Sequence, residues 1–229
     1  MTQLEVVKKL LSSHGEDMAV LYTGTNPSHF VSDKLVIHCP LIEIVPRPFD
    51  DVATQAMMAD LDRYTHIVFT SKNTVPIFCT WAEKLGLPIN AQIIAVGSIT
   101  ADALHAAGLK PALIASDEQQ EGVIELLMLQ NLERAYILVP RSSRARPHIQ
   151  MFLETHRIRH QLCNLYDTVT KVPHPLPNLS VVDEIVFTSP STVDAFIQIF
   201  DILPVDKQLT PIGPVTEEKL RGVLHGQKI

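Results

Sequence analysis

Short apolar runs alternate with amphipathic stretches along most of this chain. Runs of four or five apolar residues are typical of strands buried in a parallel sheet, and the stretches between them have helical spacing. Strands are predicted at residues 18–22, 35–38, 66–69, 92–96, 111–114, 135–139, 160–165, 184–187 and 208–212. Helices are predicted at residues 51–61, 73–85, 100–107, 121–129, 145–156, 192–200 and 215–224, with short ones at 4–12 and opening within 23–28. The alternation predicts an α/β fold whose parallel sheets carry helices on both faces.

One strand-to-helix turn occurs twice in the sequence. Residues 66–78 recur as residues 184–196, and Phe69-Thr70-Ser71 is matched residue for residue by Phe187-Thr188-Ser189. A second pair, residues 95–104 and 211–220, has a strand, a glycine turn and a threonine near the start of a helix. A repeated unit of this kind predicts two similar lobes, each presenting two helix N-termini at one edge of its sheet.

Two extended segments flank the continuous middle of the chain. Residues 40–46 begin and end with proline, and residues 165–171 lead into three alternating prolines at 173–177. Proline cannot supply sheet hydrogen bonds in both directions, so such strands belong at an edge or in a linker. We therefore predict a discontinuous lobe (1–39 and 172–229), an inserted lobe (47–164), and an antiparallel two-stranded linker (40–46 and 165–171) with a cleft between the lobes.

Composition and charge narrow the class of protein. With 46% hydrophobic residues and a formal charge of -6, the chain can bury a core and lacks the basic character of a general nucleic-acid binder. Its three cysteines have neither disulfide-framework nor zinc-site spacing, which indicates a reducing compartment. There is no signal-peptide pattern and no apolar run of bilayer length, so a cytoplasmic protein without membrane contact is expected.

Small polar side chains are predicted where strands pass into helices. Hydroxyl and amide groups beside positive helix ends suit a ligand that carries several carboxylates or phosphates, although ordinary helix capping would use the same residue types. The candidate substrate-binding residues are Ser71, Asn73, Ser98, Thr100, Ser189, Ser191 and Thr216.

Arginines are concentrated in one short region. Arg141, Arg144 and Arg146 follow a predicted strand at the same edge as the small polar residues, and their guanidinium forks suit carboxylate or phosphate. Arg157 and Arg159 precede a strand and are more typical of a solvated face. We therefore retain Arg141 as the substrate-binding candidate of this group.

The common catalytic motifs are missing from the sequence. There is no nucleophile elbow, phosphate loop, dinucleotide fingerprint or zinc-protease motif, and the ten histidines are scattered singly, so neither a metal nor a cofactor is predicted. Cys79, beside Phe78 and Trp81, is typical of a core residue. Tyr166 lies in the second linker, where its phenol could donate a hydrogen bond to a leaving oxygen or simply pack at a domain junction.

Taken in order, these segments resemble the uroporphyrinogen-III synthase family. The similarity is carried by residues 68–75, 95–101, 137–141, 165–168, 186–191 and 212–216. It implies two flavodoxin-like lobes and a monomeric, cofactor-free lyase that cyclises hydroxymethylbilane to uroporphyrinogen III, inverting the last pyrrole through a spiro intermediate. It also implies that Tyr166 assists loss of the bilane hydroxyl and that Ser71, Thr100, Ser189 and Thr216 line the cleft.

Two features depart from the family pattern. Thr23 is followed by Gly24, where the family commonly has arginine, and the chain ends soon after the helix that contains Thr216. The alternative hypothesis is therefore a non-catalytic two-lobed protein that binds tetrapyrroles or other polyanions. A nucleotide-binding flavodoxin-like protein is a third hypothesis, disfavoured because the sequence has no phosphate loop.

Overall fold

The computed structural model describes residues 19–227, so the helix predicted at 4–12 lies outside the described residues. The strands are β1 (Ala19–Tyr22), β2 (Val36–His38), β3 (Ile42–Pro46), β4 (His66–Phe69), β5 (Gln92–Ala95), β6 (Leu113–Ile114), β7 (Tyr136–Ser142), β8 (Arg159–Thr170), β9 (Val182–Phe187) and β10 (Gln208–Pro211). The helices are α1 (Val52–Ala59), α2 (Thr74–Leu85), α3 (Ser98–Ala106), α4 (Gln120–Met128), α5 (His148–Thr155), α6 (Pro190–Phe200) and α7 (Pro214–Gly226), with a 3₁₀ turn at Leu179–Val181. Parallel strands alternate with helices, which confirms the α/β class.

The chain forms two compact units. Unit 1 combines Met1–Glu43 with Val169–Ile229, and unit 2 is Ile44–Thr168. The four-stranded sheet has the order β10-β9-β1-β2, and the six-stranded sheet has the order β3-β8-β7-β4-β5-β6. The boundaries of lobes and linkers inferred from the sequence, and the cleft between lobes, stay predictions.

The repeated strands occupy equivalent positions in the two sheets. β4 lies between β5 and β7, with β8 beyond β7, and β9 lies between β10 and β1, with β2 beyond β1. The strands of each sheet can be renumbered by their order in the chain. The four-stranded sheet then has the order 2-1-3-4, as in flavodoxin, whereas the six-stranded sheet, leaving out β3, has the order 3-2-1-4-5. The flavodoxin-like description is therefore corrected for unit 2, because the chain enters the same arrangement of strands at a different point.

Each sheet has one place where the strand order reverses direction. In unit 2 the reversal lies between β4 and β7: β5 and β6 follow on one side of β4, whereas β7 and β8 lie on its other side. In unit 1 the reversal lies between β1 and β9. Loops that follow the two strands at such a point diverge, and they leave a crevice at the carboxyl edge of the sheet. The topology thus marks a candidate ligand edge in each unit.

Unit 2 is packed on both faces of its sheet. Ile67 and Phe69 of β4 point into one buried cluster with Phe78 and Trp81 of α2, whereas Val68 points into a second cluster with α4 and α5. This alternation is the two-residue period of a strand covered on both sides. The prediction of helices on both faces is confirmed for this unit.

One local prediction is corrected, and one strand is longer than predicted. Residues 23–28 form no helix, because the Asn26 side chain accepts the Ser28 amide and Phe30 bonds back to Pro27, which makes a turn that competes with helical bonding. The strand predicted at 160–165 and the linker predicted at 165–171 are one strand, β8. β3 lies at the sheet edge, as its prolines predicted.

β3 and β8 are neighbours in the sheet. The Lys171 amide donates to Leu41 O at 2.8 Å, and the Arg47 amide donates to Leu165 O at 2.8 Å. Residue numbers therefore fall along β8 as they rise along β3, which is the order of an antiparallel pair.

Candidate functional site

The crevice edge of unit 2 collects four of the predicted site residues. Ser71 and Asn73 follow β4, Arg141 lies near the end of β7, and Tyr166 lies on β8 beside it. The order reversal between β4 and β7 makes this the edge where a ligand is expected. Sequence reasoning named these residues separately, and the strand order brings them to one edge.

A β-bulge sets the direction of the Tyr166 side chain. Arg141 pairs with Asn164, but Ser142 pairs with Tyr166, so Leu165 is an extra residue on β8. Leu165 and Tyr166 consequently both join the cluster that contains Phe69, although strict alternation would point successive residues to opposite faces. The bulge therefore aims Tyr166 at the end of β4.

Tyr166 and Ser71 are directly hydrogen-bonded. The ring is buried, with 4% of the residue exposed, and its O–H donates to Ser71 Oγ at 3.1 Å. Ser71 Oγ also accepts the backbone N–H of Asn73 at 3.2 Å. A buried phenol is thus held at its tip by a serine whose own rotamer is restrained by the start of α2.

Arg141 is half-buried and bonded only to neutral groups in the contacts of residues 19–227. Its Nε donates to Asn164 Oδ1 at 3.1 Å, and its Nη1 donates to Gln150 Oε1 at 3.3 Å. Burial lowers the pKa of the guanidinium from its usual value, because no nearby acid offsets the lost hydration. A guanidinium in this condition is suited to an anionic ligand.

A bidentate ion pair next to Tyr166 was missed by the sequence analysis. Arg47 Nε and Nη2 donate to the two carboxylate oxygens of Asp167 at 3.2 and 3.1 Å. The hydrogen bonds from Arg47, and then from Ser143, hold the pKa of Asp167 below its usual value. The sequence did contain a signal for this ion pair, because Arg47 and Asp167 have opposite charges and lie near the ends of two segments predicted to pair.

Ser98 at the start of α3 is already bonded to a carboxylate of the same chain. Its backbone N–H and its hydroxyl donate to Glu118 Oε1 at 2.9 and 2.6 Å. The Ser98 hydroxyl, followed by its backbone N–H, lowers the pKa of Glu118. Gly97 makes room for this contact, since a Cβ there would lie 2.6 Å from Glu118 Cγ. Nothing in the local sequence indicated this partner.

Thr100 and Thr216 occupy equivalent third positions of α3 and α7. They are 4% and 2% exposed, so each hydroxyl lies inside the first helical turn and offers little surface. The equivalence agrees with the repeat. Their predicted contact with substrate stays a prediction.

In unit 1, Ser189 and Ser191 lie together at the start of α6. Their hydroxyls are 2.8 Å apart, and the Ser189 backbone N–H donates to Thr192 Oγ1 at 3.3 Å. Thr192 Oγ1 in turn donates to Ser189 O at 2.8 Å. These bonds match ordinary capping, and both serines remain half-buried at the carboxyl edge of β9.

Gly24 lies where unit 2 has Arg141. Leu21 of β1 and Leu138 of β7 are equivalent, because each pairs with the same position of the repeated strand in its own sheet. Gly24 and Arg141 each come three residues later, so they are equivalent too. A Cβ at Gly24 would lie 2.5 Å from Thr188 Cγ2 and 2.7 Å from Thr188 Oγ1. The two diverging loops of unit 1 therefore touch at this point, and a side chain at position 24 would require Thr188 to shift.

The remaining arginines differ in their partners. Arg146 donates to both oxygens of Glu121 at 3.0 and 2.9 Å, so its charge is already paired. The Arg159 guanidinium lies 3.8 Å from the centre of the Tyr136 ring, a stacking contact that the solvated-face prediction missed.

The core prediction for Cys79 is confirmed. The residue is 8% exposed, and burial raises the pKa of its thiol to about 11. Within residues 19–227, no group of three or more His, Cys, Asp or Glu side chains is placed to hold a metal ion. In the same part of the chain, no helix is long and apolar enough to cross a membrane.

Comparison with known proteins places this chain in a family. The family model described as uroporphyrinogen-III synthase HemD matches residues 34–226. No functionally curated protein matches the chain significantly.

Solved structures of that name share the fold. A mutant uroporphyrinogen III synthase from the thermophilic bacterium Thermus thermophilus superimposes with a TM-score of 0.64 at 17% identity, covering 90% of this chain and 88% of that one. A uroporphyrinogen-III synthetase from Helicobacter pylori gives a TM-score of 0.59 at 20% identity, with the same coverage of 90% and 88%. Since the family match spans most of the sequence and the fold agrees, this chain belongs to the uroporphyrinogen-III synthase family.

Proposed function

We propose that this protein is a uroporphyrinogen-III synthase, a lyase of tetrapyrrole biosynthesis that converts hydroxymethylbilane to uroporphyrinogen III. The observation that carries the proposal is the buried phenol of Tyr166, bonded to Ser71 at the carboxyl edge of β4 in a chain of this family. We further propose that the enzyme acts as a monomer in the cytoplasm and needs no cofactor.

The proposed reaction begins with loss of the terminal hydroxyl of the linear bilane. Tyr166 donates its proton to that oxygen, the carbon–oxygen bond breaks, and water leaves. The exposed carbon then bonds to the substituted carbon of the last pyrrole, which forms the spiro intermediate. The original bond from that carbon to its bridging carbon breaks, and the freed bridging carbon bonds to the unsubstituted carbon on the other side of the same pyrrole, which inverts that ring and leaves a hydrogen there to be lost. Final ring closure releases one proton, and this proton restores the phenol.

Most of the rate advantage is assigned to orientation of the substrate. Hydroxymethylbilane closes unaided to the non-inverted isomer I, so the protein must favour attack at one carbon over another by holding the last ring in place. The acetate and propionate groups of the bilane supply negative charge, and Arg141, whose guanidinium has no acid partner among residues 19–227, could receive one of them. Asn73, Ser189 and Ser191 are placed at strand ends where they could contact others.

Ser98, Thr100 and Thr216 are assigned a structural role instead of direct contact with the substrate. Ser98 is bonded to Glu118, and the two threonines are buried. We propose that they stabilise the first turns of α3 and α7.

The decisive experiment supplies purified protein with hydroxymethylbilane and separates the product isomers. The proposal predicts isomer III, formed faster than spontaneous closure. Isomer I alone at the uncatalysed rate would contradict it. If calorimetry then showed tight binding of uroporphyrinogen without turnover, the alternative of a non-catalytic tetrapyrrole-binding protein would replace it; the contact of Gly24 with Thr188, where the family commonly has arginine, favours that alternative.

A further inference from the structure

Ser71 has one hydrogen atom that its contacts with residues 19–227 leave unused. Its Oγ accepts two hydrogen bonds, from the Tyr166 O–H at 3.1 Å and from the Asn73 N–H at 3.2 Å. A serine oxygen can accept two bonds and donate one, so the acceptor capacity is filled and the donor remains available. Ser71 therefore already has Tyr166 as a partner, and its free O–H can turn toward the phenol oxygen.

The two residues hold each other from different elements. Tyr166 is aimed by the bulge of β8, and Ser71 is tied by the Asn73 amide to the turn that opens α2. Phe69, directly before this turn, is fully buried in the same cluster as Tyr166. Neither hydroxyl can move far without disturbing packed neighbours, so their separation is a property of the fold.

We propose that Ser71 is a positioning residue that orients the phenol of Tyr166 toward the departing hydroxyl of the substrate and does not itself bind a substrate carboxylate. This inference rests on the proposed function. In the free protein, the phenol donates to Ser71. When the bilane hydroxyl arrives, Tyr166 donates to that oxygen, and the unused Ser71 hydrogen rotates to donate to the phenol oxygen. That bond stabilises the negative charge that develops there as the proton leaves.

The serine at the equivalent position of unit 1 has a different environment. Ser189 bonds to Ser191 at 2.8 Å, and among the contacts of residues 19–227 it has no tyrosine partner. Ser71 and Ser189 therefore differ in their bonding: Ser189 belongs to the capping box of α6, whereas Ser71 is bonded to a buried phenol.

A double-mutant cycle tests the inference. Steady-state formation of isomer III is measured for wild type, Ser71→Ala, Tyr166→Phe and the double variant. Ser71→Ala should lower kcat about 3- to 10-fold, the loss expected for one hydrogen bond, and leave KM within about 2-fold. In the Tyr166→Phe background, Ser71→Ala should have no further effect, because the serine acts through the missing phenol.

Two further variants separate positioning from general damage. Ser71→Thr retains the hydroxyl and should recover most of the lost kcat. Thr80→Ala removes an exposed hydroxyl of the same helix, which donates to Pro76 O at 2.8 Å, and should leave both kinetic constants unchanged. Thermal unfolding of every variant is followed by circular dichroism, so that activity lost through unfolding is not attributed to the missing hydroxyl.

The outcomes distinguish this inference from the proposed function. An increase in KM for Ser71→Ala that persists in the Tyr166→Phe background would show carboxylate binding and overturn the inference. Wild-type kcat in Ser71→Ala would also overturn it, and would leave the synthase function intact. Failure of wild type itself to make isomer III would remove both.

Discussion

At the scale of single residues, this protein depends on close contacts that have no signature in a hydrophobic pattern. Gly24, Gly97 and Ser71 each lie against one side chain from a distant part of the chain: Thr188, Glu118 and Tyr166. The pattern of small residues at strand ends predicted that backbone turns would lie there. It did not predict which partner each turn would meet, because partners so far apart in sequence are chosen by the strand order.

The clearest residue-scale prediction concerns Gly24. Gly24→Ala should destabilise the protein by about 1–3 kcal/mol, since the new Cβ overpacks against Thr188 at 2.5 Å. Thr188→Ala in the same chain removes both close atoms and should restore much of that loss. Stability is measured by urea unfolding.

Gly222 provides the matched control for this test. It lies in α7, and a Cβ there would meet nothing within 4 Å. Gly222→Ala should therefore stabilise the protein by up to about 1 kcal/mol, because alanine has the higher helix propensity. A Gly24→Ala protein as stable as wild type would disprove the close contact.

At the scale of elements, helix N-termini were predicted as one class of anion site, but the structure divides them. α2 begins beside the phenol of Tyr166, α6 begins with a serine pair, and α3 begins with Glu118 of the same chain. A helix N-terminus favours any negative charge, so a carboxylate from the protein can occupy it as readily as one from a ligand. At the start of α3, the path of the loop before α4 decides between the two, because that loop carries Glu118 to the helix end.

Glu118 gives a pH-dependent prediction. Its pKa is lowered in the folded state from 4.5, so its contribution to stability is present above pH 4.5 and is lost as pH falls through the lower folded-state pKa. Glu118→Gln should cost about 0.5 kcal/mol at pH 7, a small value because the carboxylate is exposed and screened. The difference from wild type should disappear in acid.

Urea unfolding from neutral pH down into acid measures this difference. Glu125→Gln removes an exposed carboxylate from α4 and serves as the control for loss of charge alone. Equal behaviour of the two variants at all pH values would show that Glu118 does not stabilise α3.

At the scale of the whole molecule, the chain forms one continuous and one divided unit. Unit 2 is the single stretch Ile44–Thr168, and the strands at its two ends, β3 and β8, are neighbours in the sheet. Unit 1 needs both ends of the chain, because β1 from its first part lies between β9 and β2. All four residues of β1 are buried, so the second part alone would lack the centre of its sheet.

This division predicts how fragments behave. A fragment of residues 44–168 should fold alone, with a cooperative thermal transition and dispersed amide resonances, since it retains two packed clusters and adjacent ends. A fragment of residues 169–229 should remain unfolded until residues 1–43 are added. An unfolded 44–168 fragment, or a folded 169–229 fragment, would contradict the assignment of units.

The sequence alone determined the α/β class, most element positions, the internal repeat and the identity of residues at strand ends. These properties depend on periodicity and turn chemistry, which act over a few residues and can be read locally. Tertiary structure decided what those residues do. The reversal between β4 and β7 brings Ser71 to the same edge as Arg141 and Tyr166, and a one-residue bulge turns the phenol toward the serine. Strand order and bulges depend on packing between distant segments, so no local pattern could have specified them.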